Sequence, residues 1–414
     1  MTSSSKHVRI AVIGAGITGT TTAYRLNKQG HAVTLFDRHP FAAMETSYAN
    51  GGQLSASNAE VWTSWRTVRK GLTWMLRPGA PLHINPMPSW HKLSWMAEFL
   101  AAIPHYEDNT VATVKLALAA RDHLGKWAEE ENIDFSCERR GILHFYRSRD
   151  DFEVARNVTQ LLARGGLQRR AVTPSEMSAI EPALQGTFYG GYYTESDFTG
   201  DIHAFTTGLA QAFARNGGTL RFGTEIIDVR SGRDGVQVET RIAEGCSGAE
   251  TVEAFDRIVI CSGVMSRQLA RRLGDRVNIY PVKGYSITVN LAGESDRRAA
   301  PWTSLLDDDA KIVASRLGAG RFRVAGTAEF NGDNRDISAA RIAQLTDWCR
   351  RYFPEMSTRD VVPWAGLRPM MPNMMPKVGR GANPRVYYNT GHGHLGWTLS
   401  AATAEAVTAM MEAA

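Results

Sequence analysis

Apolar positions are packed most densely just inside the start of the chain. VRIAVIGA (8–15) is a continuous apolar run rich in β-branched residues, the pattern of a strand covered on both faces of a parallel sheet. From Thr20 to Gln29 the apolar residues recur at helical spacing, and Gly30 is placed to stop that helix. AVTLF (32–36) then reads as a second strand ending at Asp37. RFGTEIIDV (221–229) and DRIVICSG (256–263) read as further strands, the latter closing on a glycine turn. Alternation in GYSITV (284–289) and FRVAGTAEF (322–330) predicts strands with one face buried. Asp201 stands where it would cap a helix starting at His203. Near the end, GHGHLG (391–396) crowds three glycines and two histidines into six residues immediately before a helical run.

The join between the first strand and the first helix carries chemistry. Gly14, Gly16 and Gly19 have the GxGxxG spacing, and Asp37 follows 18 residues after Gly19. Gly14 permits a tight turn, Gly16 lets a pyrophosphate approach the backbone, and Gly19 lets helix and strand pack closely. The free amides of this turn (Ala15, Ile17, Thr18) and the positive helix end face the phosphates. Asp37, with Arg38 beside it, is expected to accept hydrogen bonds from an adenosine ribose and to disfavour a 2′-phosphate. The motif does not separate NAD from FAD. After Asp37 the chain runs into RHPFAAMETSYANGGQLSAS (38–57) instead of another regular unit. Glu45, Thr46, Ser47, Asn50, Gly51, Gly52 and Gln53 suit a segment lying along an extended ligand, although a solvated loop of this composition is equally ordinary.

The composition narrows the classes. In 414 residues, 43% hydrophobic, there is material for two or three domains. Lys and Arg (47) exceed Asp and Glu (42) by a scattered +5, which argues for no nucleic-acid partner. Four separated cysteines (Cys137, Cys246, Cys261, Cys349) argue against a zinc site or disulfide framework, so no metal is expected and a reducing, cytoplasmic setting fits. The opening MTSSSKHVRIAVIG reads as a strand lead-in rather than a signal peptide, and no apolar stretch is long enough to span a membrane.

Six segments, in order, resemble the flavin-dependent D-amino-acid dehydrogenases of the D-amino-acid oxidase/glycine oxidase group: IAVIGAGITG, FDRHPFAAMETSYANGGQLSAS, YTESDFTGDIHAFTTGLA, IYPVKGYSITV, WAGLRPMMP and NTGHGHLGWTLS. The resemblance implies an α/β fold, with a Rossmann-like FAD-binding domain plus an α+β substrate domain built on an antiparallel sheet. The expected FAD-binding domain is discontinuous (1–79, 195–278 and 361–414), with the substrate domain formed by 80–194 and 279–360. It implies FAD as cofactor, its ring against Gly391, Gly393 and Gly396. The amides near His394, Leu395, Gly396 and Thr398, at a helix start, would stabilise charge on the reduced ring. Ile227, Cys261, Ser262 and Gly263 are expected along the cofactor's edge.

On the substrate side the resemblance assigns the carboxylate-binding arginine of KIVASRLGAGRFRVAG to Arg316, with Arg368 a second candidate at the ring edge. Tyr285, with Lys283, is expected to border flavin or substrate, and His394 to line the pocket. The implied reaction moves a hydride from Cα of a D-amino acid to flavin N5, giving an imino acid that hydrolyses to a 2-oxo acid and ammonia. Electrons then pass to a quinone or another acceptor other than oxygen. Oxidation of a related secondary amine, a flavin-holding protein without turnover, and a nicotinamide enzyme stay open as alternatives. The family's threonine-proline-aspartate-glycine after GLRP is replaced here by MMPNMMPKVG, so Met370, Met371, Met374 and Met375 form an apolar wall or core filler. Trp62, Trp65, Trp74, Trp90 and Trp95, with Met75, Leu76, Met96, Phe99 and Leu100, suit either an irregular domain core, which is preferred, or a surface resting peripherally on the inner face of the cytoplasmic membrane.

Overall fold

A computed structural model describes residues 8–75, 80–243 and 250–413. The apolar run at the start forms the strand Arg9–Ile13, and its neighbours are Ala32–Phe36 on one side and Arg257–Ile260 on the other, all parallel. Thr219–Arg221 and Val386–Thr390 extend this sheet in parallel, and Lys377–Arg380 closes one edge antiparallel, giving six strands. The N-terminal and C-terminal elements therefore lie in one sheet, separated only by Arg257–Ile260.

The helices Ile17–Lys28, Ile202–Arg215 and Gly396–Glu412 bury Leu26, Phe205, Leu209, Trp397 and Val407 in one core on a face of that sheet. Asp201 caps the middle helix, its Oδ1 accepting from the amides of His203 (2.9 Å) and Ala204 (3.2 Å). The long helix Tyr106–Glu130 joins the same core through Ala120, Leu124 and Trp127. It was expected with the substrate domain; its alanine-rich face instead lets it pack tightly beside the last helix. On the opposite face, the antiparallel strands Thr224–Ser231, Val236–Ile242 and Thr251–Phe255 pack with Ile13, Phe36 and Leu269. The expected single strand 221–229 breaks at Gly223 (φ +62°) into two strands of different sheets.

A second sheet has nine strands. One end of it, starting at the edge strand, is the antiparallel set Val361–Met370, Tyr280–Asn290, Arg321–Phe330 and Ile312–Arg316. Two pairings are parallel, Ser304–Asp307 with Ile142–Tyr146 and Leu82–Ile84 with the end of Arg321–Phe330, so the sheet is mixed rather than antiparallel throughout. Val361–Met370 was placed with the cofactor domain; it pairs along nearly the whole of Tyr280–Asn290, which moves that boundary beyond Met370. The tryptophan-rich stretch divides. Trp95 is 3% exposed in a core with Tyr280 and Phe330, whereas Trp65 (60%) and Trp90 (84%) face solvent. Leu76 of that stretch and Cys246 lie outside the described residues, as does the reading of residues 1–7.

Candidate functional site

The glycine turn is built as its spacing requires. Gly14 has φ +101°, and a Cβ there would stand 2.8 Å from the Cys261 carbonyl oxygen. A Cβ on Gly19 would fall 1.7 Å from the Gly14 carbonyl oxygen, so only glycine lets this helix meet the strand. The Ala15 amide donates to Asp37 Oδ2 (2.6 Å) and the His39 amide to Oδ1 (2.9 Å), while the Ile17 amide donates to Ser47 Oγ (3.1 Å). Burial pushes the Asp37 carboxyl up, opposed by those two amides. Glu45 is pushed up by burial, but Arg335, His39 and Arg38 outweigh this and hold it down to about 2. It therefore clamps two arginines at the rim.

A cavity of about 450 Å³ starts at this turn. Gly14, Gly16, Ile17, Thr18, Asp37 and Arg38 line one end of its wall, continued by Glu45, Thr46, Ser47 and Asn50. Ile227, Cys261, Ser262 and Gly263 form an edge, and Gly391, Gly393, His394 and Gly396 belong to the same wall. Ala15 and Gly19 line no part of it; the Ala15 amide is spent on Asp37, and Gly19 is a packing contact with the strand turn. At the C-terminal turn, Gly391 (φ +78°) and Gly393 (φ +59°) sit so close to Met371 and Met370 that a Cβ would lie 2.5 Å from Met371 Cγ and 2.7 Å from Met370 Sδ. The altered methionine loop is the backing against which this turn is seated.

A second cavity of about 680 Å³ adjoins the first. Gly51, Gly52, Gln53, Leu395 and Thr398, expected on the cofactor, line this one instead. Thr46, Asn50, Arg368, His394 and Trp397 border both cavities and so mark the seam between them.

The two ionisable groups at the seam are unusual. Arg368 donates from Nη1 to the Thr327 carbonyl (2.8 Å) and has no carboxylate partner among the described residues. Burial alone brings its pKa down to about 10, so it remains cationic at neutral pH. Its guanidinium lies over Gly284, where a Cβ would meet Nη2 at 2.3 Å. His394 stacks on Trp62 (4.6 Å between centroids, 19° between planes), is held by the Asn58 backbone, and has no partner on Nε2. Burial, helped by the Arg368 charge, pushes its pKa down to about 3, so the ring is neutral.

Two expectations are corrected. Arg316 lines neither cavity: it is 1% exposed and its guanidinium donates to the carbonyls of Arg297 (2.8 Å), Ala300 (2.9 Å), Ala319 (3.0 Å) and Gly318 (3.2 Å) while stacking 4.0 Å from the Trp302 ring. With its donors filled by backbone, it organises the Gly318–Gly320 turn and cannot also grip a carboxylate. Tyr285 borders the second cavity, but its hydroxyl donates to Glu329 (3.0 Å) in a buried network with Lys283 (3.3 Å) and Arg341 (2.9 Å). That leaves the hydroxyl committed away from any substrate. Trp62, expected only as a core or surface aromatic, and Glu60, singled out by nothing in the sequence analysis, are both on the second cavity's wall; the signal for Glu60 was an acid alone among apolar neighbours in NAEVW (58–62).

A family model described as "FAD dependent oxidoreductase" (DAO) matches residues 9–410. The chain belongs to the DAO family of FAD-dependent oxidoreductases. DAO-family relatives in sequence include "D-amino acid dehydrogenase 3" of Mesorhizobium japonicum, 58% identical over 95% of each chain. Another is a "D-amino acid dehydrogenase" of Dechloromonas aromatica, 39% identical over 98% of this chain and 97% of that protein. Among solved structures, glycine oxidase from Geobacillus kaustophilus superposes with a TM-score of 0.73 at 21% identity, covering 98% of this chain and 95% of that one. L-proline dehydrogenase from P. horikoshii reaches 0.75 at 15% identity, covering 98% and 93%. These two likenesses show the shared DAO fold. The residues present fit FAD: two glycine-seated helix starts, Ile17 and Gly396, share one cavity wall with Asp37. Bound there, FAD supplies the acceptor for an electron pair.

Proposed function

We propose that this protein oxidises D-amino acids to 2-oxo acids and ammonia, handing the electrons to a quinone or other acceptor than oxygen. The observation that carries the reading is Arg368, a cation at the seam of the two cavities with one carbonyl contact and, among the described residues, no acid to balance it. Arg368 is partly buried, and a guanidinium without an ion pair in such a site is completed by a ligand anion; its planar fork suits an α-carboxylate. The names borne by the sequence relatives support an amino acid of the D series.

The chain's residues then have distinct tasks. Arg368 fixes the carboxylate and with it the orientation of Cα. Neutral His394, with one ring nitrogen held by the Asn58 backbone, presents a lone pair at Nε2 to an N–H of the substrate. It does not take up the proton of a substrate ammonium; that proton leaves to solvent first, and the substrate reacts as its neutral amine. The Cα–H bond breaks with its electron pair leaving, the nitrogen lone pair forms the C=N bond, and water then releases ammonia.

Exposed Trp65, Leu72, Met87, Trp90, Leu93 and Leu100 support peripheral contact with an acceptor-bearing membrane, because Leu72, Leu93 and Leu100 also line the second cavity. No helix among the described residues is long and apolar enough to cross a bilayer. Bleaching of the flavin under anaerobic conditions by D- but not L-amino acids tests the reaction; equal bleaching by both, or by secondary amines alone, would refute it. Co-flotation with anionic liposomes tests the surface, and a protein left at the bottom of the gradient would refute the contact.

A further inference from the structure

We propose that Glu60 selects D-amino acids whose side chains end in an ammonium or guanidinium group; this rests on the function proposed above. Glu60 lies between Asn58, whose backbone holds His394, and Trp62, which stacks on that ring. It lines the same cavity as Arg368, and His394, which feels the Arg368 charge and is held by the Asn58 backbone, stands between the two segments. Its Oε1 accepts from the Tyr106 hydroxyl at 2.6 Å, and among the described residues it has no cationic partner.

The cations on this part of the wall each have a partner, although not one carboxylate apiece. Lys311 is paired with Asp308, and Lys70 (3.5 Å) and Arg66 (3.9 Å) share Asp151. Lys92, further along, donates to the carbonyls of Asn85 and Met87. An anionic substrate side chain would find every one of these cations engaged. A cationic one would find in Glu60 a carboxylate that makes no ion pair among the described residues. Burying that carboxylate unpaired is unfavourable, and a ligand cation relieves the cost. Burial indeed pushes the Glu60 carboxyl up, its nearby Asp308 adding to the effect and the Tyr106 hydroxyl, Lys311 and Arg66 opposing it.

The surroundings suit an aliphatic stem with a charged tip. Trp62, Trp74 and Trp364 line the cavity, offering faces to methylenes and to a cation. Ala59 (0% exposed) and Val61 (1%) on either side of Glu60 are sealed in the core, so the acid is not there for solvation.

The test compares kcat/KM of the purified holoenzyme for D-lysine, D-norleucine and D-glutamate with a dye acceptor, before and after Glu60→Gln. D-Norleucine keeps the aliphatic chain and removes only the terminal charge. The expected result is a lead of about tenfold or more for D-lysine over D-norleucine, the size of one charge-assisted hydrogen bond, with D-glutamate poorest. In Glu60→Gln that ratio falls to within about threefold of unity, through KM. Parity or a norleucine preference in the wild type, or an unchanged ratio in the variant, overturns the proposal. If D-norleucine bleaches the flavin without any lysine preference, only the role of Glu60 fails. If no D-amino acid bleaches it, the proposed function fails as well.

Discussion

Replacing Arg368 by lysine keeps a positive charge at the seam but removes the planar fork. Arg368 spends one donor on the Thr327 carbonyl and has no acid partner among the described residues, leaving two parallel N–H groups for a substrate carboxylate. Charge-assisted hydrogen bonds are worth about 1.5–3 kcal/mol each. Lysine, as a shorter point charge, would keep one of them and forfeit the other, about 1.5–3 kcal/mol, or roughly 10- to 150-fold in affinity at about 1.4 kcal/mol per decade. The loss should appear as a raised KM and as a weaker substrate dissociation constant in anaerobic flavin-reduction titrations. The flavin itself should stay bound, because Gly14, Gly16, Asp37 and the C-terminal glycine turn are untouched. A KM within threefold of wild type would refute Arg368 as the carboxylate ligand.

Arg316→Lys is the complementary case: activity per folded molecule should be unchanged, while losing part of its four carbonyl contacts should lower stability by about 2–4 kcal/mol, read by denaturant titration. Gly393→Ala, at φ +59° with Met370 Sδ 2.7 Å from the new Cβ, should cost about 1–3 kcal/mol and reduce the flavin-to-protein absorbance ratio of the purified protein. His392, 3% exposed and pushed by burial down to about 3, binds its proton far more weakly folded than unfolded. Stability should therefore be fully present above about pH 6.5 and fall as pH drops toward 3, by up to about 1.4 kcal/mol per pH unit. His392→Gln should flatten that slope in thermal melts across the range, and an unaltered slope would contradict it.

Much of the cofactor side was legible because backbone geometry constrains sequence strongly there. Only glycine satisfies the close approaches at Gly14, Gly19, Gly391 and Gly393, so the residues announce the turn. The strands Arg9–Ile13 and Ala32–Phe36 were legible for a similar reason, being mostly apolar and, past their exposed first residues, largely covered on both faces. The substrate side was not, because an arginine's task depends on which acceptors the fold brings to it. Arg316 and Arg368 both sit in strands of the second sheet; nearby carbonyls fill the first and leave the second open. Domain boundaries were blurred by Tyr106–Glu130 and Val361–Met370, whose apolar patterns fit either neighbour and whose partners lie far away in sequence.

The most direct measurement is the visible spectrum of the purified protein before and after anaerobic addition of D- and L-amino acids. The account predicts a yellow protein whose long-wavelength flavin band is lost with the D series, and loses that response at ordinary substrate concentrations when Arg368 is lysine. A colourless protein that takes up no FAD, or a flavin band that D-amino acids bleach equally well with and without Arg368, would contradict it.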